Sequence, residues 1–403
     1  MFRPAIQKLN VLVLIPLFCS LMVYISFNSI RDYRKPFYDT KVIASNLMFK
    51  ALKSLRQDYL DQGKTFSSLD PLETGLVFYQ DDLPGNPSSK LTTLNPNFAA
   101  YIVELMIDAG IQIPEKRDRK PSVAIAFSSS FPGANIAVLS ACLAMDMKPV
   151  IITSLSGSNY GAIDYDEFSW LDMERILIDK NIFPLQYLSK SVSIGKGSDY
   201  GIGLDFSSFN EINKAVKKHD IDFLYNKKET DLLYYINERM RIYDVKNDFA
   251  PYDLFINVGG GHASIGTLEQ VRSSSGFLTS DYLSNIYEKN YDDCLLYRFS
   301  QSPNYNTAAI NIIDIKNLIN DKLPMIKLSD NDLKIDWNSD EWVSDDENNQ
   351  LWRSKYNKSG ILFIERKYNF WIVIPCLFIS ILVVLSVGLH SHFQIKKRMT
   401  LYE

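Results

Sequence analysis

The sequence predicts an α/β protein with a mainly parallel sheet flanked by helices, and with one transmembrane helix at each end of the chain. A strand, helix, strand pattern near the middle of the chain and a further buried strand before three consecutive glycines indicate the sheet. Two apolar runs without a charged residue, one near each terminus, indicate the spans. With 46% hydrophobic and 22% charged residues in 403, the chain has enough apolar material for a folded core.

The strand, helix, strand pattern lies at residues 122–154, where "SVAIAF", "SSSFPGANIAVLSACLAMDM" and "KPVIITS" follow one another. Two short β-branched runs separated by a segment of helix length are typical of two parallel strands with a crossover helix. The segment "FSWLDMERILIDKNI" is an amphipathic helix, and "PYDLFINV" is a further buried strand. Strands that alternate with helices predict the α/β class.

The terminal apolar runs cover residues 11–27 and 370–389, and each approaches the roughly 20 residues that span a bilayer. The first run has no small-x-small cleavage site after it, and bulky Phe18 precedes Cys19 where a lipoprotein signal has a small residue. We therefore predict a retained signal anchor and a C-terminal transmembrane helix, with both tails on one side of the cell (inner) membrane.

Basic residues flank both sides of the two spans, so the positive-inside rule nearly cancels. Long domains translocate largely regardless of charge, so the short tails decide, which predicts cytoplasmic tails and a central domain outside. The predicted segments are an N-terminal tail (1–10), a transmembrane helix (11–28), a membrane-proximal helix (29–69), the α/β domain (70–277), a C-terminal extension with an acidic linker (278–366), a second transmembrane helix (369–389) and a basic tail (390–403).

Composition and spacing argue against several classes of function. A formal charge of -4 leaves no basic excess for binding nucleic acid. The central domain has no paired cysteines and no histidine pair at helical spacing, so we predict no metal site and no cofactor. Outside the spans only Cys142 and Cys294 are available for a disulfide, and Cys142 has the surroundings of a buried helix residue.

The stretch "INVGGGHASIG", residues 256–266, ends the third strand at three glycines. A dinucleotide fingerprint is excluded because the next glycine is Gly266, and a phosphate loop is excluded because no lysine follows it. A nucleophile elbow around Ser264 is missed by one residue, since His262 stands in the place of the first glycine. A tight turn that lines a crevice explains the glycines better, and no catalytic residue is assigned. Ser264 and His262 stay candidates under a hydrolase alternative, whose base would be His262 or His219.

Ligands of open α/β sheets bind outside the carboxyl ends of the strands, so the loops after the three strands form the predicted site. Pro132 begins a helix whose free amides would attract a carboxylate or phosphate, although helix capping alone also explains the serines before it. Neither serine loop contains lysine or arginine, so backbone and hydroxyl donors would hold an anion. The predicted ligand-binding residues are Ser128, Ser129, Ser130, Asn135, Ser154, Ser158, Gly161, Gly259, Gly260, Gly261 and Ser264.

Five blocks occur in the order expected of the poly-gamma-glutamate system protein family, which the chain resembles over about residues 70–270: "LTTLNPNFAAYIVELMIDAGI", "VAIAFSSSFPGANIAVLSACLAM", "KPVIITSLSGSNYGA", "FSWLDMERIL" and "INVGGGHASIG". Two features depart from the family pattern, namely "SSSFP" in place of a glycine-serine loop and His262 in place of a small or aliphatic residue. The family-like residues are Asn95, Pro96, Asn97, Ser130, Pro132, Asn135, Ser154, Ser158, Gly161, Trp170, Asp172, Glu174, Gly259, Gly260, Gly261, Ser264 and Gly266.

The resemblance implies a membrane-anchored accessory protein that accompanies the ligase and membrane components of poly-γ-glutamate capsule synthesis and export. In that setting the predicted loops would bind a small carboxylate, an acidic polymer or a partner. Two alternatives stay open. One is a serine hydrolase or transpeptidase that acts on the polymer through Ser264, and the other is a scaffold that holds the synthase components through its spans.

Overall fold

The computed structural model describes residues 4–81, 83–112, 119–301, 306–320, 322–330, 335–342 and 360–400. The chain forms two compact units. The terminal unit combines Met1–Pro36 with Phe363–Glu403, and the central unit is Phe37–Leu362.

The terminal unit contains two long apolar helices, α1 (Leu9–Phe27) and α15 (Phe370–Met399), and an antiparallel ribbon of β1 (Arg31–Arg34) and β9 (Ile364–Lys367). The Ala5 amide donates to Gln394 Oε1 at 3.1 Å and the Ile6 amide to Ser391 Oγ at 2.8 Å, so the residues before α1 lie against the C-terminal part of α15. Both helices are long and apolar enough to cross a membrane, which is compatible with membrane anchoring.

The central unit is built on a seven-stranded sheet of order β5-β4-β3-β2-β6-β8-β7, parallel except for β7, which runs antiparallel to β8. This confirms the predicted α/β fold with a mainly parallel sheet. The chain adds β3, β4 and β5 on one side of β2 and then returns to place β6 on the other side. The strands are β2 (Ser122–Ser128), β3 (Lys148–Ser154), β4 (Ser191–Ser193), β5 (Phe223–Leu224), β6 (Leu254–Val258), β7 (Gly276–Leu278) and β8 (Ala308–Ile312).

Helices cover both faces of the sheet. On one face Ala126 and Ile152 join the apolar cluster that contains Ile236 and Ala263, and on the other Phe127 packs edge-on against Trp170 with ring centroids 5.9 Å apart. The helices are α2 (Tyr38–Asp61), α3 (Pro87–Thr92), α4 (Asn97–Asp108), α5 (Pro132–Ala144), α6 (Trp170–Asp179), α7 (Phe206–His219), α8 (Leu232–Lys246), α9 (His262–Ile265), α10 (Glu269–Arg272), α11 (Ser280–Tyr287), α12 (Leu295–Gln301), α13 (Ile315–Ile319) and α14 (Gly360–Phe363).

The α/β unit is larger than the predicted residues 70–277. Helix α2, predicted as a separate membrane-proximal element, packs against α4 and α5, and β8 pairs with β6. The predicted acidic linker is anchored where it is described, since Trp337 stacks on Phe49 at 5.8 Å and Trp342 Nε1 donates to Asn97 Oδ1 at 2.8 Å. Its residues 331–334 and 343–350 lie outside the described residues. Cys142 and Cys294 are buried free thiols, so no disulfide joins them.

Candidate functional site

Small residues form a row across the carboxyl ends of the parallel strands. Ser128 is opposite Ser154 in the β2–β3 register, and Ser154 is opposite Ser193 in the β3–β4 register. Gly259 continues the row after β6, and a Cβ atom on it would lie 2.8 Å from Ser128 Cβ. The row crosses the point between β2 and β6 where the chain order reverses, which is where open α/β sheets leave a ligand-binding crevice.

Gly259→Ala is expected to destabilise the central unit by about 1–3 kcal/mol, because the backbone has a φ of 100° and the new methyl group would meet Ser128. Gly63→Ala is the matched control, since Gly63 has a φ of 76° with nothing within 4 Å of its Cβ position. Denaturant unfolding of both variants separates the contact with Ser128 from the backbone conformation. Equal losses in the two variants would contradict the tight packing of Gly259 on Ser128.

The serines after β2 do not cap α5, contrary to the prediction. The N-cap residue is Phe131 and no side chain accepts from the first turn. Instead Ser128 Oγ accepts from the Ser130 amide at 3.1 Å, and the Ser128 carbonyl accepts from Asn135 Nδ2 at 3.0 Å. The helix terminus is also covered rather than open, because the Thr93 carbonyl lies 2.6 Å from the Cβ position of Gly133. This terminus therefore offers no open anion site.

Lys90, from α3, lies between the two serine loops. Its Nζ donates to the Ser130 carbonyl, lies 2.9 Å from Ser158 Oγ and stands 3.5 Å from the centroid of the Phe131 ring. Lys90 is 4% exposed and forms no ion pair within the described part of the chain. Burial lowers the pKa of Lys90 well below its usual range. Gly161 packs against the same loop, with its Cβ position 2.7 Å from the Ser130 carbonyl oxygen.

A buried ion pair lies beneath the other end of the serine row. Arg239, from α8, donates through Nε to Asp199 Oδ2 at 2.9 Å and through Nη2 to Ser154 Oγ at 3.0 Å and to Ser193 Oγ. Both charged side chains are 1% exposed. Among the described residues Arg239 Nη1 has no hydrogen-bond acceptor.

A third basic side chain lies beside the glycine loop, residues 259–261. Arg272, from α10, is half-buried, and its Nη2 lies 3.1 Å from the Cβ position of Gly260. Its Nη1 donates to the Gly266 carbonyl at 3.0 Å, and no carboxylate within the described ranges pairs with it. The amides of Gly260 and Gly261 donate to no acceptor in the same ranges. The loop thus presents a guanidinium group and two amide donors.

The predicted site residues are therefore brought together, but the basic side chains beside them were missed. Lys90, Arg239 and Arg272 come from helices distant in the sequence from the loops that they contact. No local pattern distinguishes them, since each stands in a segment with other polar residues. The structure thus adds basic side chains to the backbone and hydroxyl donors expected at these loops.

The residues proposed for a Ser264 hydrolase do not form a triad. Ser264 is 4% exposed in α9, and its hydroxyl has no hydrogen bond to His262 or His219 in the part of the chain that is described. His219 Nε2 lies instead 2.8 Å from Asp172 Oδ1. Burial raises the pKa of Asp172, but hydrogen bonds from His219, Lys218 and Ser169 outweigh burial and hold it well below its usual range.

A cluster of polar side chains lies at the amino ends of β4 and β5. It lines a cleft of about 330 Å³, whose walls include Glu174, Lys190, His219 and Asp222. Glu174 Oε1 accepts from Trp170 Nε1 and from Ser189 Oγ, each at 2.7 Å. Burial raises the pKa of Glu174 to about 7 although these hydrogen bonds oppose the shift. No group of three or more metal-ligating side chains that could hold a metal ion occurs among the described residues.

No protein-family model, curated protein or solved structure matches this chain.

Proposed function

We propose that this protein is a membrane-anchored accessory component of poly-γ-glutamate synthesis or export, and that it binds a carboxylate-bearing ligand at the crevice between the ends of β2 and β6. The observation that carries the proposal is the Arg272 guanidinium beside Gly260, without a carboxylate partner in the described ranges.

A carboxylate fits this position because guanidinium groups bind carboxylates through two parallel hydrogen bonds. Backbone amides that have no acceptor add donors at fixed positions, as in other anion-binding loops. Gly260 and Gly261 supply two such amides. Gly260 also lets the guanidinium lie against the loop, because any side chain at this position would approach Arg272 Nη2.

The link to the polymer rests on the sequence resemblance, and the two apolar helices support the membrane-anchored part of the proposal. With both tails in the cytoplasm, the central unit stands outside the membrane, where an exported acidic polymer emerges. The partners in this setting are the membrane components of the synthase and exporter.

Arg272→Gln is expected to weaken the binding of glutamate and short γ-glutamyl chains about 10-fold or more, because a charge-assisted hydrogen bond contributes about 1.5–3 kcal/mol. Calorimetry on the full chain in detergent micelles measures this effect. Arg241→Gln is the matched control, since Arg241 is 59% exposed and pairs with Glu238 in α8. Equal affinities of the wild-type and Arg272→Gln chains, or no binding to either, would refute the ligand assignment.

The role in polymer production is tested by measuring surface and secreted poly-γ-glutamate in a strain that lacks this gene. Complementation with the wild type should restore the polymer, and complementation with Arg272→Gln should not. If Arg272→Gln restores it fully while replacement of α1 or α15 does not, the protein acts as a scaffold instead. An unchanged amount and length of polymer in the deletion strain would refute the proposal.

A further inference from the structure

Ser158 and Lys90 form a hydroxyl–amine pair that the anion-binding role does not use. The Oγ to Nζ distance of 2.9 Å is that of a hydrogen bond, Ser158 is half-buried at the surface of its loop, and Lys90 is buried behind it. A serine activated by a positioned base is the arrangement of nucleophilic catalysis, and lysine fills the role of the base when it is uncharged.

The three neighbours of Lys90 Nζ among the described residues can satisfy a neutral amine. The Ser130 carbonyl and the Phe131 ring face can only accept a hydrogen bond, and they take the two N–H groups. Lys90 Nζ lies within donating distance of Ser158 Oγ, at 2.9 Å, and Ser158 is the one of the three that can also donate, so a neutral Lys90 would accept the serine proton along the same contact. No carboxylate in the described ranges pairs with Lys90, and burial disfavours its charged form, which lowers its pKa.

The loop holds Ser158 in place from both sides. The Gly157 amide donates to Tyr165 Oη at 2.9 Å, and the Asn159 amide donates to the Pro84 carbonyl at 2.9 Å. The Ser158 amide itself has no acceptor among the described residues, so it is free to donate to a ligand oxygen. A nucleophile fixed by its neighbours with a free amide beside it has the components for stabilising an oxyanion.

We propose that Ser158 and Lys90 are a catalytic serine–lysine dyad that cleaves or transfers an amide-linked acyl group of the carboxylate-bearing ligand. The nature of the acyl group, a γ-glutamyl unit, rests on the proposed function. The dyad replaces Ser264 and His262 as the site of a hydrolase or transpeptidase reaction.

In the first step Ser158 Oγ bonds to the amide carbonyl carbon while its proton passes to Lys90 Nζ. The carbon–nitrogen bond then breaks, and the Lys90 ammonium returns the proton to the leaving amine, which leaves an ester on Ser158. Water attacks the ester carbonyl carbon and gives a proton to Lys90. The bond from that carbon to Ser158 Oγ then breaks, and the Lys90 ammonium passes the proton to Ser158 Oγ, which restores the hydroxyl and the neutral amine and releases a carboxylic acid. An amine that attacks in place of water forms a new amide, so the same site would transfer the polymer end.

The test uses the full chain in detergent micelles with poly-γ-glutamate and γ-glutamyl-p-nitroanilide as probes, read by polymer length and by nitroaniline release. Ser158→Ala and Lys90→Met are each expected to lower the rate at least about 100-fold, as is usual when a nucleophile or its base is removed. Lys90→Arg should be equally inactive because arginine stays charged. Ser156→Ala should stay within about 2-fold of the wild type, since Ser156 is half-buried in the same loop and does not hydrogen-bond Lys90.

The wild-type rate should rise with pH as Lys90 loses its proton and reach a plateau below the usual range of lysine. Thermal unfolding of each variant checks that a loss of activity is not caused by a loss of folding. Ser158→Ala is expected to affect stability less than Lys90→Met, because Ser158 is half-buried and Lys90 is buried. Full activity of Ser158→Ala, or loss of activity in Ser264→Ala alone, would overturn the dyad. Absence of turnover in the wild type, with Arg272-dependent binding intact, would overturn the dyad and leave the proposed binding role standing.

Discussion

Arg239→Met is expected to lower the free energy of unfolding of the central unit by about 3–5 kcal/mol, the usual loss when one partner of a buried ion pair is removed. Asp199 is 1% exposed, so it would stay buried without its counter-charge. The substitution also removes the donors to Ser154 and Ser193 at the ends of β3 and β4.

Denaturant unfolding of the full chain in detergent micelles measures the loss. Arg241→Met on the same helix is the control, because Arg241 is exposed and its pair with Glu238 should contribute less than about 1 kcal/mol. Addition of Asp199→Asn to Arg239→Met should recover part of the stability, since the uncompensated charge disappears. A loss no larger than that of Arg241→Met would show that the ion pair is not buried in solution.

Glu174 is expected to make the central unit less stable as the pH rises from about 4.5 to 7. Its pKa is raised from 4.5 to about 7 on folding, chiefly by burial. In that interval the unfolded chain has released the Glu174 proton while the folded chain retains it, so stability falls with increasing pH. At roughly 1.4 kcal/mol per pH unit the contribution of Glu174 is about 3 kcal/mol.

Glu174→Gln removes this ionisation, so its unfolding free energy should depend less steeply on pH over the same interval. Asp70, whose pKa burial raises to about 6, acts in the same direction and leaves part of the slope in place. Glu288→Gln is the control because Glu288 is exposed at the end of α11. A slope in Glu174→Gln equal to that of the wild type would contradict the buried position of this carboxyl group.

The segments predicted best from the sequence are those in which a local run of apolar residues indicates burial. Strands β2, β3 and β6 each contain a mostly apolar run, and the structure buries β2 and β6 along their full length. Strand β4 and the edge strand β5 have three and two residues, too few for any periodicity, and β8 has five in a polar region. These strands form because they pair with neighbours already in the sheet.

The sequence by itself determined the α/β class, the two apolar terminal helices and the loops at the carboxyl ends of three strands. Apolar periodicity and run length are local properties, so they can be read without knowing the partners of each segment. Only the tertiary structure decided which basic side chains lie at the site, because Lys90, Arg239 and Arg272 reach it from three separate helices. A buried basic side chain is positioned by packing between segments that are distant in the chain. A local sequence pattern therefore does not indicate where it lies.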